Sequence, residues 1–599
     1  MNTHYEQRRA DRLATVARWE QWHARFGLVR VAIALSIPVI FWVGGWSAWP
    51  WAAAVGVAFL AFVAAHTRVI DARDRAQRAV DFYDRGLQRL RHDWPGHGDT
   101  GERFAPPGVH GSGVNLYFED LDIFGRGGAF ELLGTCRTEA GQSTLAAWLL
   151  APATSDEVAA RQEAIRELTP QLDLRERLSV EGAVVGDRLH PDHLRRWAEA
   201  APVLSSGALR IIAAVAPILT IGAIVWRSNG GPGGVAELAL IVQIAFALAL
   251  RNRVVQVIHA VDSPSRDLDL LERTAKIIED GTFSSGRLQH LQRQLQTHTR
   301  ASAAIRQLSQ LVALLSSRRN VIFAPLSGLL LWATQLAFVV EAWRRRDGRA
   351  VSAWLDAIGE FEALSALAGF AAEHPGFVFP QMSDSATAHF SASSLVHPLL
   401  PESAIANDVA IGGSDPVLML VSGSNMSGKS TFLRAIGLTA VLAQMGAPVR
   451  ASQCALSPLA IGASIRVLDS LQEGHSRFYA EILRLKHVVD LARASNGRMV
   501  FLLDEMLSGT NSHDRRHGAE GVLLGLTGMG AIGLATTHDL ALGEIVTSMD
   551  RPAVQVHFSD VFEAGTLQFD YHLRPGPVRT SNALALMRSI GLEIDRNGN

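Results

Sequence analysis

Four charge-poor stretches interrupt an otherwise mixed chain. Residues 1–26 are polar and arginine-rich and read as a helix. Val31 to Trp46 then carries no charge, the turn Gly44-Gly45-Trp46-Ser47-Ala48-Trp49-Pro50 follows, and Trp51 to Ala65 is apolar again. Each run approaches the roughly 17–25 residues of a bilayer-spanning helix. Tryptophans gather at the turn, where amphipathic rings favour a membrane interface. The pattern predicts a membrane hairpin over about 28–65, within a segment 1–80; a buried core hairpin is the alternative. It recurs within 205–255: Ile211 to Trp226 is apolar, Gly230-Gly231-Pro232-Gly233-Gly234 is a turn, and Val235 to Leu250 is apolar except for Glu237 and Gln243. Glu237 is costly in lipid unless it lies near the interface, which its place beside the turn provides.

Arginines flank these runs on one side. Arg8, Arg9, Arg12, Arg18, Arg25 and Arg30 precede the first, and Arg68, Arg73, Arg75 and Arg78 follow the second. Arg210 precedes the third, and Arg251 and Arg253 follow the fourth; the two turns hold only Arg227. Positive residues stay on the cytoplasmic side, so both termini and the large middle segments are expected there, at a bacterial-type inner membrane. A fifth apolar run, Val321 to Val340, contains Pro325, Thr334 and Gln335. A fifth span would carry the C-terminal third across the membrane, so this run is expected to be a buried or amphipathic helix of the soluble part.

The remaining pattern is helical and then mixed. Residues 110–200 read as globular and mainly helical. Leu288, Leu291, Leu295, Ile305, Leu308, Val312 and Leu315 recur at helical spacing in 263–320, within a segment 256–384 read as a helical lever, so that long helices here are expected to form a lever or a coiled pair, or else ordinary packed helices. From about 385 to 599 short apolar strands alternate with glycines, an α/β pattern.

Composition agrees with membrane segments. Apolar residues make up 48 % of 599, and mean hydropathy is slightly positive. The net charge of −2 offers no global field for nucleic acid. Cys136 and Cys454 are the only cysteines, which excludes a disulfide framework and a cysteine-rich zinc site. The polar leader before Leu28 does not read as a cleavable signal peptide.

Three strand ends carry the chemistry. Gly423-Ser424-Asn425-Met426-Ser427-Gly428-Lys429-Ser430 matches the phosphate-loop pattern completely, after the apolar strand Val417 to Val421 and before a helical stretch that starts at Thr431. Glycines let backbone N–H groups face phosphate, and a helix N-terminus favours the negative charge. Gly423 to Thr431 is the expected ATP contact. Within it, Lys429 is expected on the β- and γ-phosphates, and Ser430 supplies a hydroxyl to Mg²⁺. Met499 to Leu503 then ends in Asp504, placed to bind Mg²⁺ directly or through water, and Glu505, placed to polarise the attacking water. Ile532 to Thr537 ends in His538, placed to sense the γ-phosphate or orient the water.

Together with Asn425-Met426 in the loop, Leu502-Leu503-Asp504-Glu505 with Gly509-Thr510 behind it, and Thr537-His538, these motifs resemble the ATPase domain of MutS proteins. Ser476-x-Phe478-x-x-Glu481 resembles that family's signature segment, and Tyr571-His572-Leu573-Arg574-Pro575-Gly576-Pro577 with Thr580-Ser581 the stretch after its last strands. Leu395-Val396-His397-Pro398 and Ile405-Ala406-Asn407-Asp408 are similar to its first strand region. Thr135-Cys136-Arg137-Thr138-x-x-Gly141, Trp148-Leu149-x-x-Pro152 and Arg161-Gln162 are similar to the start of its core (lever) domain. The resemblance implies a doubly wound α/β P-loop ATPase of the ABC and MutS type beside an all-α lever, here interrupted by transmembrane hairpins. It also implies a homodimer with composite sites, Ser476 acting in trans on the partner's γ-phosphate, and DNA as a partner.

Departures are specific. A hairpin replaces the mismatch-reading N-terminal domain, and no Phe-x-Glu wedge is visible. The family's adenine-stacking aromatic falls at Ala404. The chain stops soon after Ile590-Gly591-Leu592, so the dimer-locking C-terminal helices are expected to be largely absent. Two functions follow: a membrane-tethered ATPase of the DNA mismatch-repair type, or a membrane-anchored mechanical ATPase that moves a protein or lipid partner. A transporter fits less well, because the spans contain few polar residues to form a path.

Overall fold

The computed structural model describes residues 1–106, 117–181, 191–204, 206–259, 265–297, 299–316, 324–385, 387–466, 477–507, 510–538, 542–563 and 566–578. The chain divides into two compact units, each assembled from separate segments. One holds 1–87, 135–144 and 171–363; the other holds 88–134, 145–170 and 364–599.

The first unit is helical. α1 (Asn2–Gly44) and α2 (Trp49–Leu90) form a hairpin through the 3-10 turn Gly45–Ala48. The arginine-rich leader runs into the apolar stretch as one helix. Far from the turn the pair is packed: Val16, Ala76 and Val80 share a small core with Trp19, and Tyr5 meets Tyr83 edge-on at 5.5 Å. Arg8 pairs with Asp173 at 3.0 Å and Arg12 with Glu176 at 2.7 Å. Towards the turn most large apolar side chains are exposed, Trp42 and Trp46 by 86 % and 87 %, although Ala52 is buried. α3 (Gly207–Ser228) and α4 (Gly233–His259) form a second hairpin that leaves Ile218, Leu219, Ile241 and Leu248 exposed. By length and composition, Asn2–Leu90, Gly207–Ser228 and Gly233–Ile258 are apolar enough to cross a membrane. Each such side chain left in water forgoes about 1.5–3 kcal/mol of burial energy, so these faces call for an apolar cover.

The periodic stretch before residue 320 holds three helices among the described residues. It divides into Ser265–Glu279, Gly286–Leu295 and Ala301–Ser316. Its first and third helices are joined where Glu279 accepts from the backbone N–H of Ser302 at 2.9 Å and from its hydroxyl. The long helix comes later. After the short α5 (Ala324–Leu329), α6 (Trp332–Glu373) runs for 42 residues. The apolar run from Val321, read as one helix, is therefore broken at Leu330 and Leu331, where Leu331 takes a φ of +47°. Residues 321–323 lie outside the described residues.

The second unit holds two sheets. The smaller has the order β1-β5-β2-β3, with β1 (Gln381–Met382), β2 (His389–Leu395), β3 (Asn407–Gly412) and β5 (Gln453–Leu456). The larger has the order β10-β9-β4-β8-β7-β6. Its strands are β4 (Leu418–Ser422), β6 (Ala460–Ser464), β7 (Met499–Leu503), β8 (Ile532–Thr537), β9 (Ala553–Glu563) and β10 (Thr566–Pro575). All neighbours are parallel except β9 and β10. β4, β7 and β8 are buried throughout, which explains their unbroken apolar sequences. α7 (Lys429–Met445) follows β4, α8 (Arg477–Ala494) precedes β7, and α9 (Ser512–Gly528) follows it. Leu418, Leu420, Phe501, Leu503, Leu523, Leu526 and Ala535 belong to one core among these elements.

Earlier segments complete this unit. Buried Asp120 accepts from the backbone N–H groups of Ile465 at 3.2 Å and Arg466 at 2.6 Å, and pairs with Arg484. Gln162 donates to the carbonyl of Pro380 at 2.9 Å, and the Arg161 guanidinium lies 3.8 Å from the centre of the Trp148 ring.

Candidate active site

β4 sits between β8 and β9, and β7 flanks β8, so three parallel strands end side by side. At the end of β4, the loop from Gly423 passes through Met426, which is 84 % exposed with a φ of +68°, to Gly428 with a φ of +105°. α7 begins at the next residue. First-turn N–H groups of a helix lack intrahelical acceptors, so those of Lys429, Ser430 and Thr431 form a positive end at the loop. The hydroxyls of Ser424 and Ser427 are buried with no protein partner among the described residues. Lys429 is buried and donates to the carbonyls of Gly423 at 3.1 Å and Ser424 at 2.9 Å. Burial pushes its pKa down, and the Glu505 and Asp504 carboxylates oppose that shift.

The two carboxylates are set by strand register. Leu503 pairs with Ala535, which brings Asp504 level with Thr536. The Thr536 hydroxyl donates to Asp504 and accepts the backbone N–H of Glu505 at 3.0 Å. Glu505 has a φ of +49°, an uncommon conformation for a non-glycine residue. Its Oε1 lies 2.6 Å from His538 Nε2 and 3.9 Å from Lys429 Nζ. Glu481 on α8 is buried and accepts the backbone N–H of Leu507, anchoring the segment just after the carboxylates. Lys429, Asp504, Glu505 and His538 thus meet at one end of the sheet, as their strand-end positions predict. Glu505 and His538 are about two-fifths exposed, so solvent reaches the pair. Ser476, Gly509, Thr580 and Ser581 lie outside the described residues.

Two contributors take their place only from the fold. Thr536, within strand β8, orients both acids. Tyr571 sits where the register of β10 against β9 shifts, with a φ of +55°. Asn407 holds that irregularity: its side chain donates to the Tyr571 carbonyl at 2.9 Å and accepts the N–H of Leu573 at 2.7 Å. The Tyr571 ring lies over Gly428, so that a Cβ there would come within 3.2 Å of it. An exposed aromatic therefore borders the loop, although Ala404 is not aromatic. The Asn407 motif and the Tyr571 motif were both visible, but only folding joins them.

Comparison with known proteins supports the same region. The family model described as MutS domain V matches residues 419–594. The "DNA mismatch repair protein MutS" of Natronomonas pharaonis is 30 % identical over 245 residues, which is 39 % of this chain and 27 % of that protein. That of Shouchella clausii is 31 % identical over 243 residues, with the same shares. The "DNA mismatch repair protein msh3" of Aspergillus terreus is 28 % identical over 232 residues, 37 % of this chain and 20 % of the relative. The chain thus spans about a fifth to a quarter of the length of these relatives.

Proposed function

We propose that this chain, which belongs to the MutS family through its domain V, is an ATPase of the DNA mismatch-repair type tethered to the cytoplasmic face of a membrane. The observation that carries the reading is the convergence of Lys429, Asp504, Glu505 and His538 beside a glycine-rich loop at the ends of three parallel strands. The loop fits a nucleotide: two buried serine hydroxyls have no protein partner, and a helix N-terminus opens onto it.

Roles follow from chemistry. Gly423 to Thr431 would hold the phosphates, with Lys429, which here donates to the loop carbonyls, supplying the matching positive charge. Ser430 and Asp504 would hold Mg²⁺, which would neutralise charge on the phosphates. Glu505 orients and polarises water, and His538, 2.6 Å away, positions Glu505. Tyr571 supplies the flat apolar surface for a base. Lipid covers the exposed hairpins.

The second reading, a mechanical ATPase acting on a protein or lipid, draws on the same hairpins and on the balanced charge. ATP turnover of the detergent-solubilised protein, measured with and without mismatched, branched and plain duplex DNA, separates the two. Stimulation by DNA supports the first reading. Turnover indifferent to every DNA while lipid or a partner changes it supports the second.

A further inference from the structure

Asp120 belongs to a segment far earlier in the chain than the strands of the site, yet it ends against one of them. It is fully buried and accepts the backbone N–H groups of Ile465 and Arg466, the two residues that follow β6. Its other oxygen pairs with Arg484 of α8, and Arg484 also donates to the carbonyl of Ala463, inside β6, at 3.2 Å. Asp122 pairs with Arg466 at 2.8 Å and lies 3.6 Å from Arg434 of α7. Leu121, between the two acids, packs against α7 so closely that a Cβ on Gly437 would come within 2.6 Å of it. Residues 120–122 therefore hold the end of β6 to α8 and to the helix that begins at the phosphate loop.

That strand end bears on Asp504, the acid that the proposed function assigns to Mg²⁺. β6 is the edge strand of its sheet and pairs with β7 alone among the described residues, with Ser464 opposite Leu503. The Ser464 carbonyl accepts the backbone N–H of Asp504 at 2.9 Å. From the other flank the Thr536 hydroxyl donates to the Asp504 carboxylate. Asp504 is thus fixed at its backbone by β6 and at its side chain by β8. β8 has a neighbour on each side, whereas β6 has one, and Asp120 supplies the restraint that a further strand would give. A buried ion pair gains little net stability, because desolvation offsets its attraction. Its oriented hydrogen bonds instead fix a geometry, here that of the two residues after Ser464.

We propose that Asp120 is a positioning residue for Asp504: through the end of β6 it sets where the Asp504 carboxylate meets Mg²⁺. The inference rests on the ATPase reading and deepens it. Without the Asp120 charge the end of β6 shifts, the Asp504 N–H loses its fixed acceptor, and the metal binds more weakly. The phosphate loop keeps its own restraints, so nucleotide without metal binds as before.

The test uses the full chain in detergent, with Mn²⁺ as the probe. Electron paramagnetic resonance measures free Mn²⁺ in the presence of a non-hydrolysable ATP analogue, and binding of the same analogue is measured separately in a chelator. Asp120→Asn should weaken Mn²⁺ binding roughly tenfold, the lower end of what losing an outer-shell partner costs a metal site, and leave metal-free analogue binding unchanged. Half-maximal turnover should then require correspondingly more Mg²⁺, with the saturated rate near wild type. Unchanged Mn²⁺ affinity would overturn the inference, as would equal losses of Mn²⁺ and metal-free analogue binding, which mark a general loosening. A wild-type chain that binds neither probe would sink the ATPase reading instead. Asp120→Asn removes the acid opposite Arg484, so Asp120→Asn with Arg484→Met repeats the test with both charges gone. Failure of both variants to fold would make Asp120 a stability residue and overturn its positioning role.

Discussion

Glu505 is held in a left-handed backbone conformation by the Thr536 hydroxyl, and its carboxylate points to His538. Glu505→Gln keeps the shape but loses the basic oxygen, so nucleotide binding should persist while turnover falls about 10²–10⁴-fold. Turnover within about twofold of wild type would move the role of base to His538. Tyr571→Ala tests the surface over Gly428. Stacking beyond simple burial is worth about 0.5–1.5 kcal/mol, so nucleotide affinity should fall roughly 2- to 10-fold with little change in maximal rate. Equal affinities would leave Tyr571 as a hairpin residue only. A third effect is on stability. Burial, with Arg434 and Arg450 adding to it, lowers the pKa of His397 from 6.5 to about 4. The native state therefore stays neutral while the unfolded chain takes up a proton. The resulting stability is full above pH 6.5, declines as pH falls, and is lost at about pH 4. It amounts to about 3 kcal/mol at most. In His397→Asn, whose side-chain oxygen can still accept the Leu399 N–H, the melting temperature should depend less steeply on pH over that window. Identical slopes would show that His397 does not drive the acid sensitivity. Of these residues, Glu505 and His538 were legible because each ends an apolar strand in one short motif. The placement of Thr536 and Tyr571 beside the site was not, because strand register and a β-irregularity confer it.

Elements differ in how openly the sequence declares them. The two hairpins follow from charge-free runs and turn residues, and the structure leaves their apolar faces uncovered. The break at Leu330 was hidden, because an apolar run reads alike whether one helix or two fill it, and the capping amides come from Gln243 and Gln335. Likewise, periodicity near residue 300 cannot distinguish one long helix from three short ones. The hairpin orientation can be measured. Cysteines at Ser47 and at Gly231, each at a turn, should react with a membrane-impermeant reagent added to intact cells. Cysteine at Thr297 should react only after the membrane is opened. Labelling of Thr297→Cys from outside would reverse the orientation and place the nucleotide loop away from ATP.

At the scale of the whole molecule, Glu505 and His538 are about two-fifths exposed, so the site to which the proposed function assigns the γ-phosphate is open to solvent. The resemblance to MutS proteins implies that a second subunit closes such a site, with Ser476 proposed for that role. If Ser476 serves its neighbour, Ser476→Ala and Lys429→Ala damage different halves of each shared site. Mixing the two inactive proteins then yields heterodimers in which one site carries both lesions and the other carries neither. The intact site joins a wild-type loop from one chain to a wild-type signature segment from the other. Turnover should return to about half of wild type per heterodimer if the two sites act independently. In a cis arrangement every site keeps one lesion, and mixing restores nothing. Tight coupling between sites would also suppress recovery, so a third mixture is needed. Wild type mixed with the Ser476→Ala, Lys429→Ala double mutant yields heterodimers in which each site carries one lesion if Ser476 acts in trans. If it acts in cis, one site carries both lesions and the other none. Trans action therefore predicts recovery in the first mixture and little heterodimer activity in the second, with crosslinking to count heterodimers in both. The opposite pattern would place Ser476 beside its own phosphate loop.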